Sequence, residues 1–450
     1  MVNPLQRLVQ MPGPDLALND VTLPDGRRAD IGFKAGRVVH IGALETADEN
    51  IRCQGMLLIP AATDMHVHMR GGNQAEKEDW HSGTMSAIAG GVTLVVDQPN
   101  TLPALTSSSR FSSRVKEAVT NACCGFAINA GVAPEADLSS LWSAGAMAFG
   151  EIFAGSSSYG EALSSDDLSL ALQAISHMDG LATIHAEEVG PSLPKTMATH
   201  DSNRTPQGEA DAVRKVCQLN SSGCQLHFCH MSTARAMEVV LEQRRQLNGI
   251  TRVKRSNSEI FRTSFEVTPH HLLLAIQDFL PDDTCAKVNP PLRDKKIQEG
   301  LWNMWDQIDV IASDHAPHTA VEKGLGFPNA PSGIPGVETM VPLLLAEVLR
   351  RKLPVSSLIE KVSRRPCEIL GLPPAGFQPG ERADFALYSR KITLTDPREL
   401  HSRAGWTPFK GYPAIFPELV VMEGRIVYHN GEFLNQGSRW YPGRGYHAVD

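Results

Sequence analysis

A chain of 450 residues with 42% hydrophobic and 20% charged side chains has the composition of an ordinary soluble globular protein, long enough for one large domain joined to a smaller one. Its formal net charge of -8 argues against a general nucleic-acid binder, which carries a basic patch or stripe, and no apolar stretch approaches the length of a membrane span. The eight cysteines are scattered. The adjacent pair Cys123-Cys124 lacks the spacing of a zinc motif. Residues 1–7 have no signal-peptide architecture, so reduced thiols and a cytoplasmic protein are expected.

Residues 29–34 and 37–42 read as two strands of a hairpin turning at Ala35-Gly36. The apolar run Met56-Leu57-Leu58-Ile59-Pro60-Ala61-Ala62 then reads as part of a buried strand, 57–66. It closes on Asp64-Met65-His66-Val67-His68-Met69-Arg70. Side chains alternate along a strand, so His66 and His68 fall on one face at its end and Arg70 keeps the same parity. Two imidazoles so placed can bind a metal such as zinc, and Arg70 brings a fixed positive charge beside them.

Strand-length apolar runs recur at 92–97, 125–129, 146–151, 181–185, 225–230, 264–268 and 308–313, interleaved with helical patterning such as 168–177 and 209–219. Strands apolar throughout, joined by helical crossovers, indicate a buried parallel sheet. With 57–66 they number eight, which is what closes a (β/α)8 barrel of TIM type. A doubly wound open sheet is the alternative, but no Gly-x-Gly-x-x-Gly turn follows an early strand. The polar stretch 242–262, with Arg244, Arg245, Arg252, Lys254, Arg255 and Arg262, reads as a solvated helix end and surface loop. Towards the C-terminus 383–388 reads as a strand, and 419–422 with 425–428 as a hairpin around Glu423-Gly424. Short β pieces at both ends predict a small β-sandwich domain built from 1–58 and 370–450, flanking an α/β barrel domain of 59–369.

Metal-ligand residues stand where the apolar runs stop. His66 and His68 close the first, His185 ends Leu181-Ala182-Thr183-Ile184, His230 ends Leu226-His227-Phe228-Cys229, and Asp314 follows Val310-Ile311-Ala312-Ser313. In a barrel all the carboxyl ends of the strands converge on one face. Four histidines and an aspartate meeting there match the ligand set of catalytic zinc. Taken singly, His185 reads as a core histidine and Asp314 as an N-cap for a segment starting at Ala316. His315 and His318 read as loop residues, and His227 as facing elsewhere with no role. The joint pattern is what points to a metal site.

These motifs resemble the dihydroorotase branch of the amidohydrolase superfamily, through nearly the whole chain. Asp64-Met65-His66-Val67-His68-Met69-Arg70 is similar to that family's metal motif with its substrate arginine, and Gly90-Gly91-Val92-Thr93 with Pro99-Asn100-Thr101 to its second-strand signature. His230-Met231-Ser232-Thr233, Glu266-Val267-Thr268-Pro269-His270-His271, Lys287-Val288-Asn289-Pro290-Pro291-Leu292-Arg293, Ser313-Asp314-His315-Ala316-Pro317-His318 and Ser332-Gly333-Ile334-Pro335-Gly336-Val337-Glu338-Thr339 follow in the family's order. The resemblance implies metal ions, usually two zincs, that activate a water. By carry-over, His66, His68 and Asp314 hold the first and His185 and His230 the second, with Asp314 as general base.

Two departures stand out. Many relatives bridge the metals with a carbamylated lysine on the fourth strand, whereas Ala146-Met147-Ala148-Phe149-Gly150-Glu151-Ile152-Phe153 has none. Glu151 offers the two oxygens that a carbamate offers and is expected to bridge in its place. The family commonly follows the arginine with an acidic residue, Pro and Gly; this chain reads Arg70-Gly71-Gly72-Asn73. For the substrate, Arg70 can grip a carboxylate as a bidentate fork. Asn100 and, by the resemblance, His318 complete that clamp, and Asn289 contacts the ring. The expected activity is reversible hydrolysis of dihydroorotate to N-carbamoyl-L-aspartate in pyrimidine synthesis. A hydantoinase- or allantoinase-like cyclic amidohydrolase is the alternative. The expected partner is a small molecule, with no nucleic acid or membrane, and a homodimer is plausible from the family.

Overall fold

The computed structural model describes residues 13–154, 162–246, 252–255 and 258–447; the expectation for residues 1–7 lies outside them. The chain is α/β. Its parallel strands are β1 (Ala62–Val67), β2 (Val92–Asp97), β3 (Gly125–Ile128), β4 (Phe149–Phe153), β5 (Leu181–His185), β6 (Gln225–Phe228), β7 (Thr263–Val267) and β8 (Val310–Ile311). β1, β2 and β3 form one parallel run and β4 to β8 another, each strand beside its neighbour in sequence. Single bridges link the two runs, Ala130 with Phe149 and Val67 with His315. Parallel pairing in chain order puts every carboxyl end on the same edge, so residues hundreds of positions apart become neighbours there.

The crossovers are helices whose starts are written in the sequence. Trp80–Ala89 is capped by Asp79, whose side chain accepts from the Ser82 amide at 2.9 Å. Pro206–Leu219 begins with Thr205 as its cap and proline in its first turn, where the missing N–H costs nothing. The expected helices at 168–177 and 209–219 correspond to Ser165–His177 and Pro206–Leu219. Strand residues such as Val95, Phe126, Ile184, Phe228 and Phe265 are fully buried, each contributing roughly 1.5–3 kcal/mol.

The expected strand 57–66 divides in two. Leu57–Pro60 pairs antiparallel with Phe385–Tyr388, while Ala62–Val67 joins the parallel strands. The backbone changes partner at Ala61, whose amide donates to Asp384 O at 3.0 Å, before that of Ala62 donates to Gly91 O at 2.9 Å. One apolar run thus serves two sheets. The first is a nine-stranded sheet that draws on both ends of the chain. Both expected hairpins lie in it: Arg28–Lys34 with Arg37–Gly42, and Leu419–Met422 with Arg425–His429. Ala35, Gly36, Glu423 and Gly424 all adopt positive φ at the two turns, as tight hairpins require. Phe33 stacks on Phe385 at 5.5 Å in the core of this sheet.

Within the basic stretch Arg245 is exposed as expected, whereas Arg244 and Arg262 are held by the fold. Arg244, on the helix Ala234–Gln246, pairs with Asp309, donates from Nε to Thr263 O at 2.9 Å and lies over the Phe261 ring. Arg262 donates to Gly223 O at 2.7 Å. Strands Arg252–Arg255 and Ser258–Phe261 pair antiparallel, and residues 247–251 and 256–257 lie outside the described residues.

Candidate active site

The carboxyl edge of the parallel strands brings the expected ligands together. A pocket there is lined by His68, Asn100, Glu151, His185, His230 and Asp314, with Asn289, Ser332 and Gly333 on its other side. His66 lies beneath it, 1% exposed. Its Nε2 is 3.5 Å from Asp314 Oδ1 and 3.9 Å from Glu151 Oε2. His68 Nε2 is 3.3 Å from the same Asp314 oxygen. Across the pocket, Glu151 Oε1 is 2.8 Å from both His185 Nδ1 and His230 Nε2. Arg70, His230 and Asp314 all have φ between +30° and +48°. Such strained non-glycine backbone gathers at sites whose surroundings over-determine it. Asp314 caps no helix; the next one, Ala320–Lys323, is capped by Thr319.

The far nitrogens of His66, His68 and His185 are tied down, which fixes the orientation of their rings. His66 Nδ1 donates to Glu266 Oε1 at 2.6 Å, His68 Nδ1 to Asn100 Oδ1 at 2.9 Å, and His185 Nε2 to Glu187 Oε1 at 2.7 Å. That is how metal-binding histidines are oriented. His66 Nε2 and His230 Nδ1 are buried with no hydrogen-bond partner among the described residues. Three donor clusters result, His66 with His68 and Asp314, His66 with Glu151 and His230, and His66 with Cys229 and Glu266, each with its ligand atoms within 4.8 Å of one another. Buried lone pairs without protons to receive, beside two carboxylates, fit a divalent cation.

The electrostatics agree. Burial opposes ionisation of Glu151, yet the hydrogen bonds from His185 and His230 outweigh it and hold its carboxyl well below the usual range. For Asp314, burial is likewise outweighed, by the His68 bond and the neighbouring His66 and His230. Glu266 and Glu187 are both pulled down to about 2 against the cost of burial, Glu266 by His66 and Glu187 by His185. His185 is pushed up to about 9 despite its burial, with Glu187 and Glu151 on either side. The four carboxylates are thus held ionised beside His66 and His185, whose affinity for positive charge they raise despite burial.

Of the four residues expected to hold the substrate, two line the pocket and two do not. Arg70 is 2% exposed and donates from Nε to Pro317 O at 3.3 Å, with Nη2 3.4 Å from His318 Nε2. His318 Nε2 lies 3.1 Å from Ser332 O, and Ser332 Oγ donates to Asn289 Oδ1 at 3.2 Å. Arg70 and His318 therefore sit behind the Ser332 backbone, whereas Asn100 and Asn289 line the pocket directly. Burial and the charges of Arg70, Lys77 and Lys323 keep His318 neutral, far below the usual histidine range. The loop carrying Ser332 and Gly333 is pinned by two buried lysines. Lys323 Nζ donates to Pro331 O and Gly333 O at 3.0 and 2.9 Å, and Lys287 Nζ to Phe327 O and Ala330 O at 2.7 and 2.6 Å.

Three residues without an expected role belong to the site. Glu266 orients His66, and Glu187 orients His185. His227 does not face elsewhere: its Nε2 donates to Glu266 Oε2 at 3.0 Å and its Nδ1 is 2.8 Å from Ser264 Oγ. The signals were a carboxylate inside an apolar strand (Glu266) and one two residues past a ligand, at equal parity (Glu187).

Comparison with known proteins follows the same lines. A family model described as dihydro-orotase-like matches residues 55–236. The chain is 36% identical over 440 residues to a dihydroorotase of Methanosarcina mazei, covering 93% of each. It is 33% identical over 419 residues to a dihydroorotase of Archaeoglobus fulgidus, covering 89% of this chain and 94% of that one. In fold it is similar to an L-hydantoinase (dihydropyrimidinase) from Arthrobacter aurescens, with a TM-score of 0.87 at 24% identity over 96% of this chain and 100% of that one.

Proposed function

Because the chain belongs to the dihydroorotase family, we propose that it opens and closes the ring of dihydroorotate, a cyclic amide bearing a carboxylate, giving N-carbamoyl-L-aspartate on the path to pyrimidines. The observation that carries this reading is the buried donor set in which His66 meets His68 and Asp314 on one side and Glu151 and His230 on the other; Arg70, two residues after His68, is read as the carboxylate grip that goes with it.

His66, His68, Asp314, Glu151, His185 and His230 would hold the metal, read as two zinc ions with Glu151 in the place of a carbamylated lysine, and that metal would acidify a water and polarise the amide carbonyl. Asp314 is the general base. Its carboxylate stays ionised beside His68, His66 and His230, so it accepts the proton of the attacking water and passes it to the departing ring nitrogen. The water oxygen joins the carbonyl carbon, the ring C–N bond breaks, and the nitrogen leaves protonated. Arg70 holds the substrate carboxylate, supported by Asn100 and His318, while Asn289 faces the ring. Positioning of this kind removes much of the entropic barrier.

The eight parallel strands are read as one (β/α)8 barrel occupying 59–369, a reading supported by the bridges Ala130–Phe149 and Val67–His315. The nine-stranded sheet, drawn from strands between Leu16 and Pro60 and between Phe385 and Phe433, supports a separate β domain from 1–58 and 370–450, from which Arg439–Trp440 departs to pair with β3 of the parallel strands. All eight cysteines are free and seven of them buried, which supports a reducing, cytoplasmic location.

The function is tested by assaying ring opening of dihydroorotate, hydantoin and allantoin side by side. Dihydroorotate should have the highest kcat/KM, and preference for either of the others overturns the assignment. The bridging role of Glu151 is tested by metal analysis: wild type should carry two zincs per chain and Glu151→Ala fewer. One zinc in both would exclude a bridge.

A further inference from the structure

A second polar cavity, of about 850 Å3, opens between the turns of the two terminal hairpins and the segment 435–439. It shares no lining residue with the active-site pocket, and its size is that of a small-molecule site. Its walls carry five cations, Lys34, Arg37, Arg382, Arg425 and Arg439, against two carboxylates, Asp15 and Glu423, in a chain whose net charge is -8. The two turns meet at this place: a Cβ built on Gly36 would lie 3.4 Å from Glu423 O, and one on Gly424 would lie 3.5 Å from Gly36 Cα. Close backbone approach thus gathers Arg37 and Arg425, the first strand residues after each turn.

Arg382 is the feature that asks for a ligand. It is 3% exposed, and its Nε and Nη1 have no hydrogen-bond partner among the described residues. Asp384 Oδ2 lies 2.9 Å from its Nη2 and balances its charge. The two Asp384 oxygens already accept from Thr93 Oγ1 at 3.2 Å and the Glu423 amide at 2.7 Å. The guanidinium plane is also held over the Tyr441 ring, 5.5 Å from its centroid. Buried donors left unmade are expensive, and a planar donor fork matches a phosphate or carboxylate. Several cations spread around one cavity favour an anion with more than one negative charge.

We propose that this cavity is a binding site for a small phosphorylated anion, separate from the active site, with Arg382 at its base and Arg37 and Arg425 at its mouth. Inorganic phosphate serves as the probe, titrated calorimetrically into metal-loaded wild type, Arg70→Ala and the double variant Arg37→Ala/Arg425→Ala. The expected result is saturable binding that survives Arg70→Ala, which removes the anion grip of the active site. In the double variant the same binding should weaken roughly tenfold or more, about 1.4 kcal/mol, while dihydroorotate turnover without phosphate is unchanged. Because both mouth residues lie on exposed strand starts, the double variant should keep the wild-type melting temperature. Absence of saturable binding overturns the proposal. So does binding that vanishes with Arg70→Ala, or binding that the double variant leaves intact.

Discussion

Asp314→Asn is expected to lower kcat by about 10²–10⁴-fold, the range typical of losing a general acid–base group. Asparagine keeps the size and one oxygen of the side chain, so the contact of His68 Nε2 with Oδ1 at 3.3 Å can persist. It cannot take a proton from water or deliver one to the leaving nitrogen. Assay at saturating metal and substrate, with bound metal measured in the same samples, separates lost proton transfer from lost ligation. Retention of kcat within tenfold, with metal bound, would remove Asp314 from the role of base.

Arg70→Ala should cost kcat/KM about 30-fold to several thousand-fold, because truncating one partner of a buried, hydrogen-bonded charge pair costs about 2–5 kcal/mol. Two measurements make the result specific. Metal content should stay at the wild-type value, since Arg70 belongs to neither of the donor clusters that His66 forms with His68 and Asp314 or with Glu151 and His230. Preference for dihydroorotate over dihydrouracil, the same ring without the carboxylate, should collapse. If both substrates lose activity equally, Arg70 acts on the fold of the loop and not on the carboxylate.

Much of the site was legible because strand ends are visible in sequence. Apolar runs stop at the residues that line the pocket, and parallel pairing sends all those stops to one edge. His66, His68, His185, His230 and Asp314 were found in this way, and Glu151 by the missing lysine in its strand. The two hairpin turns were legible for a different reason, since Ala35-Gly36 and Glu423-Gly424 mark a local conformation with positive φ. His227 was misread because parity counts from the end of a strand only while the strand stays regular. Past Phe228 the backbone leaves the sheet, and His230 turns with φ of +30°. Parity therefore could not place His227 relative to His230.

By itself, then, the sequence determined which segments become strands and helices, which residues stand at their ends, and that the chemistry is that of a metal-type donor set beside an arginine. These follow from periodicity, capping and local backbone preference, all short-range. Tertiary structure alone decided the partners. Glu266 reaches His66 across 200 positions in the chain, Glu187 and Glu151 enclose His185 from two sides, and the run from Leu57 divides between two sheets at Ala61. Arg382 comes to face the two hairpin turns in the same way. Such contacts are set by strand register and by which backbone comes alongside, and no periodic pattern within one segment records its neighbour.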